Sequence, residues 1–241
     1  DSRSPNRSAE ALRHVAWVRD LDEDRISHVS ATVGEFVGTD LRAGLGWGAI
    51  FGGQVLGQAL SAAAQTVPDD RSVHSLHGYF IRAGDLRRPI VYSVDRLRDG
   101  KSFVTRRVDA VQEGEAIFSL EASFQVEEDG LEHQDPMPEV PPPEALRSER
   151  ELALLLADRL PEAFRAIATA ERPIEIRPVE PRNPLKPTAV EPRRHLWVRA
   201  IDKLPDDPAL HRYMLAYASD FSFLGTALGP HGVSWLTPGM Q

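Results

Sequence analysis

Asp220 lies in a stretch, residues 213–228, that reads as a helix with few polar side chains around it. At helical spacing its neighbours are Ala216, Tyr217, Phe223 and Leu224, so the carboxylate projects from a largely apolar face. A carboxylate withdrawn from water must be paired, hydrogen-bonded or neutralised, and burial can raise its pKa by about 3–5 units. A carboxylate so placed is a candidate catalytic group. Two structural readings stand beside it: the helix turns Asp220 to its edge, or Asp220 caps a shorter helix starting at Phe221.

Gly52, Gly53 and Gln54 stand at the entry to an Ala- and Leu-rich helix expected over residues 54–66. The unpaired amides of a first helical turn and the positive end of the helix dipole converge there. Amides near Gly53 and Gln54 could therefore hold an oxygen that gains charge in a reaction. Equally, the glycines could serve only the turn into the helix. His74 and His77 follow on a strand and point to opposite faces, so that one of them can face the interior, and a functional role is open to either beside the plainer reading of a satisfied core or surface residue.

Other chemistries are disfavoured. There is no Cys for a thiolate nucleophile, a disulfide or a thiolate metal site. No G-x-S-x-G, H-E-x-x-H or P-loop pattern occurs. Gly44, Gly46 and Ala49 match a dinucleotide fingerprint, but the acids that follow, Asp69 and Asp70, precede the next strand instead of ending it. The net charge of −8 argues against a nucleic-acid surface. Arg87-Arg88, Arg106-Arg107 and Arg193-Arg194 read as solvated faces or as grips for a phosphorylated ligand. No run reaches the roughly 18 apolar residues of a membrane span, and with no Cys a reducing cytoplasm is the expected compartment.

The elements that must position these residues follow the hydrophobic period. A charged leading segment reads as a short helix, and 33–37 as a strand. Beyond the 54–66 helix come strands over 73–82, 90–97, 102–112 and 116–126, expected as an antiparallel meander with turns at Asp99-Gly100 and Glu113-Gly114. In the last strand Phe118, Leu120, Ala122 and Phe124 alternate with Ser119, Glu121, Ser123 and Gln125, one buried face against one wet face. A proline-rich stretch, 133–144, then reads as an extended linker. A helix over 148–160, strands over 174–179 and 195–201, and the helix carrying Asp220 complete the chain. The order of strand and helix resembles the first half begun again, without a second meander, so the second unit is expected to be incomplete.

Taken jointly, FGGQVLGQAL (51–60), VHSLHGYFIRAGD (73–85), LRDGKSFVTRRVDAVQEGEAIF (97–118), ASFQ (122–125), RPVEPRNPL (177–185), LAYASDFSFLGTALGPHG (215–232) and the closing PGMQ resemble the acyl-CoA thioesterase II family. The resemblance implies an α+β double hotdog, each antiparallel sheet wrapped around a long central helix, with the second hotdog incomplete. The expected organisation is an N-terminal hotdog over 1–128, a linker over 129–147 and a truncated C-terminal hotdog over 148–241. It further implies hydrolysis of fatty acyl-CoA, with Asp220 activating the water and with Gly53, Gln54 and His74 near the oxyanion. The family's other water-orienting residues, a Thr or Ser and a Gln, match no position in this sequence. No metal or cofactor is implied; acyl-CoA is the partner, and self-association into a homo-oligomer is expected. An enoyl-thioester hydratase or dehydratase, and a non-catalytic acyl-CoA binding module, are the alternatives.

Overall fold

The computed structural model describes residues 15–17, 33–38 and 49–237. The glycines at 44, 46 and 48, most of the leading segment and the closing PGMQ lie outside the described residues. In chain order the elements are β1 (Val15–Trp17), β2 (Val33–Gly38), α1 (Gly52–Ala64), β3 (Arg71–Phe80), β4 (Ile90–Asp99), β5 (Phe103–Gln112) and β6 (Glu115–Val126). There follow α2 (Glu149–Leu155), α3 (Glu162–Thr169), β7 (Ile174–Pro178), β8 (Leu196–Ala200), α4 (Pro208–Ser219) and α5 (Phe223–Leu228). Contacts divide the chain into two compact units: Asp1–Glu132 with Asp202–Ser219, and His133–Ile201 with Asp220–Gln241.

The first unit is an antiparallel sheet in the order β1-β2-β4-β5-β6-β3, with α1 touching all six strands. β4, β5 and β6 form the expected meander. Its β5–β6 turn, Glu113-Gly114, has positive φ at both residues, the geometry a two-residue hairpin requires. β3 departs from expectation by pairing with β6, on the far side of the meander. A connection over residues 81–89, too long for a tight hairpin, carries the chain across. Strand β1 is a three-residue strand paired with β2, and the helix expected in the charged leading segment falls on residues that lie outside the described ones.

The inward row reads Tyr92 and Val94 on β4, Val104 and Val108 on β5, and Phe118, Leu120, Ala122 and Phe124 on β6, all buried around α1. Burying a side chain of this size stabilises by about 1.5–3 kcal/mol. Along α1 every residue from Gly53 to Ala63 is buried, which explains why its sequence is small and apolar on all sides. One inward residue breaks the pattern. Arg106, 1% exposed, donates to Thr66 Oγ1 (2.7 Å) and O (3.0 Å), to the carbonyls of Arg98 (3.1 Å) and Thr105 (3.0 Å), and to Asp99 Oδ1 (2.5 Å). Arg106 is therefore not part of a solvated face, whereas Arg107 beside it is exposed: Arg106 ties the chain just after α1 to the sheet, where α1's negative dipole end favours a cation.

α4 packs along α1 within this unit. Asp207 Oδ1 accepts from Ala209 N (3.0 Å), and Pro208 takes the first helical position, where its missing N–H costs nothing. The helix expected over 213–228 is two helices: α4 ends at Ser219, and Ser222 adopts a left-handed φ of 73° before α5 begins. α5 belongs to the second unit.

In the second unit β7 pairs antiparallel with β8. The proline-rich stretch is bound rather than free: Trp197 Nε1 donates to Pro141 O (2.9 Å), and Arg177 donates to the carbonyls of Pro143 and Leu146. The helix expected over 148–160 is shorter. α2 starts on a capping box, Ser148 with Glu151, and the chain leaves helical geometry at Leu160, which precedes Pro161. α3 follows with no expected counterpart. No helix among the described residues is long and apolar enough to cross a membrane.

Candidate active site

Gly53 and Gln54 lie in the first turn of α1, as expected, and both are buried. Phe51 occupies the N-cap without a side-chain cap, and its carbonyl accepts from Gln54 N (3.1 Å) and Val55 N (3.4 Å). The Gln54 amide is thereby engaged. The Gly52 and Gly53 amides, earlier in the turn, have no helical carbonyl four residues back to bond.

The last turn of α4 closes over this point. A Cβ on Gly53 would overlap the backbone carbonyl of Tyr217, and it would stand 2.6 Å from the Phe51 ring. The Phe51 and Tyr217 rings meet edge to face, with centroids 5.3 Å apart. The positive end of α1 thus abuts the negative end of α4, a favourable pairing of helix poles. Only glycine permits that approach.

His74 is elsewhere in the first unit. It is the extra residue of a bulge in β3, between Val73 and Ser75. Its exposed ring meets Ser123 Oγ at 3.0 Å and packs edge-on against Phe103 (5.9 Å). Ser123 belongs to the outward row of β6, so His74 sits on the face of the sheet away from α1. The fold does not gather it with Gly53 and Gln54. His77 is exposed on β3 and packs against Tyr79 (4.7 Å).

Asp220 is the first residue past α4, in the turn that ends where α5 begins, and it is half-buried. It is neither mid-helix nor the cap of α5, whose N-cap is Ser222. Arg172 and Glu149, which help shape this turn within the second unit, carried no sequence signal. Arg172 lies over the Phe221 ring, with Cζ 5.4 Å from the centroid, and Glu149 Oε2 accepts from Arg172 at 3.4 Å. Glu149 also faces Arg194 at 3.7 Å. Burial pushes the Arg194 guanidinium pKa down, and the nearby Glu149 opposes that shift. Arg182 donates to Gly225 O (2.7 Å). Among the described residues no group of three or more His, Asp or Glu side chains could hold a metal ion.

Chemically, the first unit offers a helix N-terminus whose first amides have no intrahelical acceptor, and the second a half-buried carboxylate on a braced turn. A carboxylate can take a proton from water, and such amides can accept a developing negative charge.

Comparison with known proteins bears on this chemistry. The family model described as "Acyl-CoA thioesterase N-terminal domain" matches residues 42–125, and that described as "Acyl-CoA thioesterase" matches 164–241. Acyl-CoA thioesterase 2 of Haemophilus influenzae is 42% identical over 197 residues, covering 82% of this chain and 69% of that protein. The crystal structure of an acyl-CoA thioesterase II from Mycobacterium marinum superposes with a TM-score of 0.66 at 38% identity, covering 92% of this chain and 72% of that one. A hot dog fold protein from Alicyclobacillus acidocaldarius matches with a TM-score of 0.63 at 16% identity over 94% of this chain and 73% of that one, a likeness of fold alone. The sheet wound about α1 is accordingly a hotdog. The chain spans between 59% and 69% of the length of the bacterial and mammalian curated relatives it matches over most of its own length.

Proposed function

The chain belongs to the acyl-CoA thioesterase family, and from that premise we propose that it hydrolyses fatty acyl-CoA to free fatty acid and CoA, with Asp220 as general base. The observation that carries the reading is the position of Asp220. A half-buried carboxylate interrupts an apolar segment at the break between α4 and α5, within the region matched as acyl-CoA thioesterase.

In this mechanism the Asp220 carboxylate takes a proton from water as the water oxygen bonds to the thioester carbonyl carbon. For the oxyanion so formed, the candidates are the backbone amides near Gly53 and Gln54, of which that of Gln54 already bonds the Phe51 carbonyl. Collapse of the tetrahedral intermediate breaks the carbon–sulfur bond. The departing CoA sulfur takes the proton back from Asp220, leaving acid and thiol. A thioester carbonyl is reactive enough for a positioned water, a base and an oxyanion site to suffice. His74, on the outer face of the sheet, takes no step.

The second unit is read as belonging to a second hotdog. CoA phosphates fit an exposed arginine cluster better than Arg106, which the core has taken. Residence in a reducing cytoplasm, consistent with the absence of Cys, and assembly as a homo-oligomer complete the proposal.

The test is an assay of the intact protein against acyl-CoAs of graded chain length, following free thiol and, with enoyl-CoA, the loss of conjugated absorbance. Thiol release is expected. Loss of enoyl absorbance without thiol would establish a hydratase instead, and tight acyl-CoA binding with neither signal a binding module.

A further inference from the structure

We propose that Arg172 is a positioning residue for Asp220, acting through the ring of Phe221 and held in place by Glu149. The inference rests on the reading of Asp220 as the base and names what keeps its carboxylate in register.

The turn from Asp220 to Ser222 lies between two helices, and Ser222 sits at φ 73°, a left-handed conformation that a residue with a Cβ adopts only against steric strain. Such a backbone persists when its surroundings over-determine it. Here the second unit grips the segment at two points. At one, the Arg172 guanidinium lies 5.4 Å from the centroid of the Phe221 ring, inside the range of a cation–π contact. At the other, Arg182 donates to Gly225 O at 2.7 Å, and Arg194 packs where Gly225 lacks a side chain, 3.4 Å from the site of a Cβ.

Glu149 joins the two grips, one oxygen towards Arg172 (3.4 Å) and the other towards Arg194 (3.7 Å). It is itself fixed, as the first residue of α2 directly after the capping-box Ser148. The Arg172 and Glu149 side chains are 23% and 32% exposed, so water screens their pairing only in part. A line of contacts therefore runs from the start of α2 through Glu149 and Arg172 to Phe221, the residue bonded to Asp220. Catalysis by a positioned water is sensitive to such support, since a displacement of about 1 Å can cost roughly 100-fold in rate.

The test compares Arg172→Gln, Arg172→Lys, Phe221→Leu and the double variant Arg172→Gln/Phe221→Leu in the intact protein, reading kcat, KM and melting temperature. Arg172→Gln should lower kcat by roughly 10–100-fold, with KM changed by less than about twofold and the fold retained. Arg172→Lys, which keeps a cation over the ring, should recover part of that loss. Phe221→Leu should match Arg172→Gln, and the double variant should be no worse than either. Wild-type kcat in Arg172→Gln, or losses that multiply in the double variant, would overturn the proposal. Should Arg172→Gln not fold, Glu149→Gln, which loosens the tether while keeping its shape, gives the same reading, and an unchanged kcat there would equally overturn it. Asp220→Asn separates the two layers. Full activity in Asp220→Asn removes the base itself, whereas an inactive Asp220→Asn beside a normal Arg172→Gln removes only the positioning role.

Discussion

The backbone carbonyl of Tyr217, in the last turn of α4, occupies the space that a side chain on Gly53 would fill at the start of α1. Because the obstacle is backbone, it cannot rotate away, and adding even a methyl group must push the helices apart. Gly53→Ala should destabilise the protein by about 1–3 kcal/mol, the usual cost of overpacking, and should lower kcat as the α1 amides move. Gly130→Ala, where no heavy atom lies within 4 Å of the new methyl, should do neither. Denaturant midpoints and turnover for the two variants check this.

A second prediction concerns the middle of the core. Tyr92 OH donates to Gln58 Oε1 at 2.7 Å, both residues are fully buried, and Gln58 Nε2 has no partner among the described residues. With no water to solvate it, the Tyr92 hydroxyl has its pKa pushed well up. Tyr92→Phe removes the donor and strands the whole Gln58 amide, at an expected cost of about 1–3 kcal/mol. Tyr92→Phe/Gln58→Leu should cost less than the two single variants summed. A double-mutant cycle by chemical denaturation measures the coupling, and strict additivity would contradict the account.

Arg106 gives a third. Removing it takes the guanidinium from the carbonyls of Thr66, Arg98 and Thr105 and from Thr66 Oγ1 at once, so Arg106→Met should cost about 3 kcal/mol or more. Asp99 is 56% exposed and rehydrates easily, so Asp99→Asn should cost under about 1 kcal/mol. The asymmetry is the point: equal losses in thermal melts would show that the ion pair, rather than the satisfied carbonyls, is what matters.

Fourth, the Arg87 side chain and amide bind Asp85 and hold its carboxyl down to about 2, with Arg87 and Arg88 charges assisting. Unfolded, the group titrates near its ordinary value of about 4. The folded state therefore binds this proton less readily, and the stability Asp85 contributes is full above about pH 4 and lost as pH falls towards 2. The melting-temperature gap between wild type and Asp85→Asn should be constant above pH 5 and close on acidification. A gap independent of pH would refute this.

Much of the fold was legible because period and turn chemistry agreed. The alternation along β6, the Glu113-Gly114 hairpin and the small-residue helix α1 each carry one dominant local signal. Residues 213–228 misled because an apolar run looks the same whether one helix or two; only Ser222 marks the break, and serine is an ordinary helix residue by composition. The burial of Arg106 was illegible for a different reason, since its partners are mostly backbone carbonyls that no sequence pattern advertises. His74 was placed by a bulge, which shifts the facing of a strand residue without any change of period. Arg172 and Glu149 come together from separate elements, 23 residues apart in the chain, and only the folded second unit brings them to Phe221. Asp220 itself stood out for a local reason: a carboxylate among apolar neighbours.

The central claim is tested most directly by the turnover of acyl-CoA by Asp220→Asn in the intact protein, measured as thiol release beside a melting curve. The asparagine keeps the shape and gives up the base, so kcat should fall by about 100- to 10,000-fold while the melting temperature holds. Wild-type turnover in that variant would contradict the account.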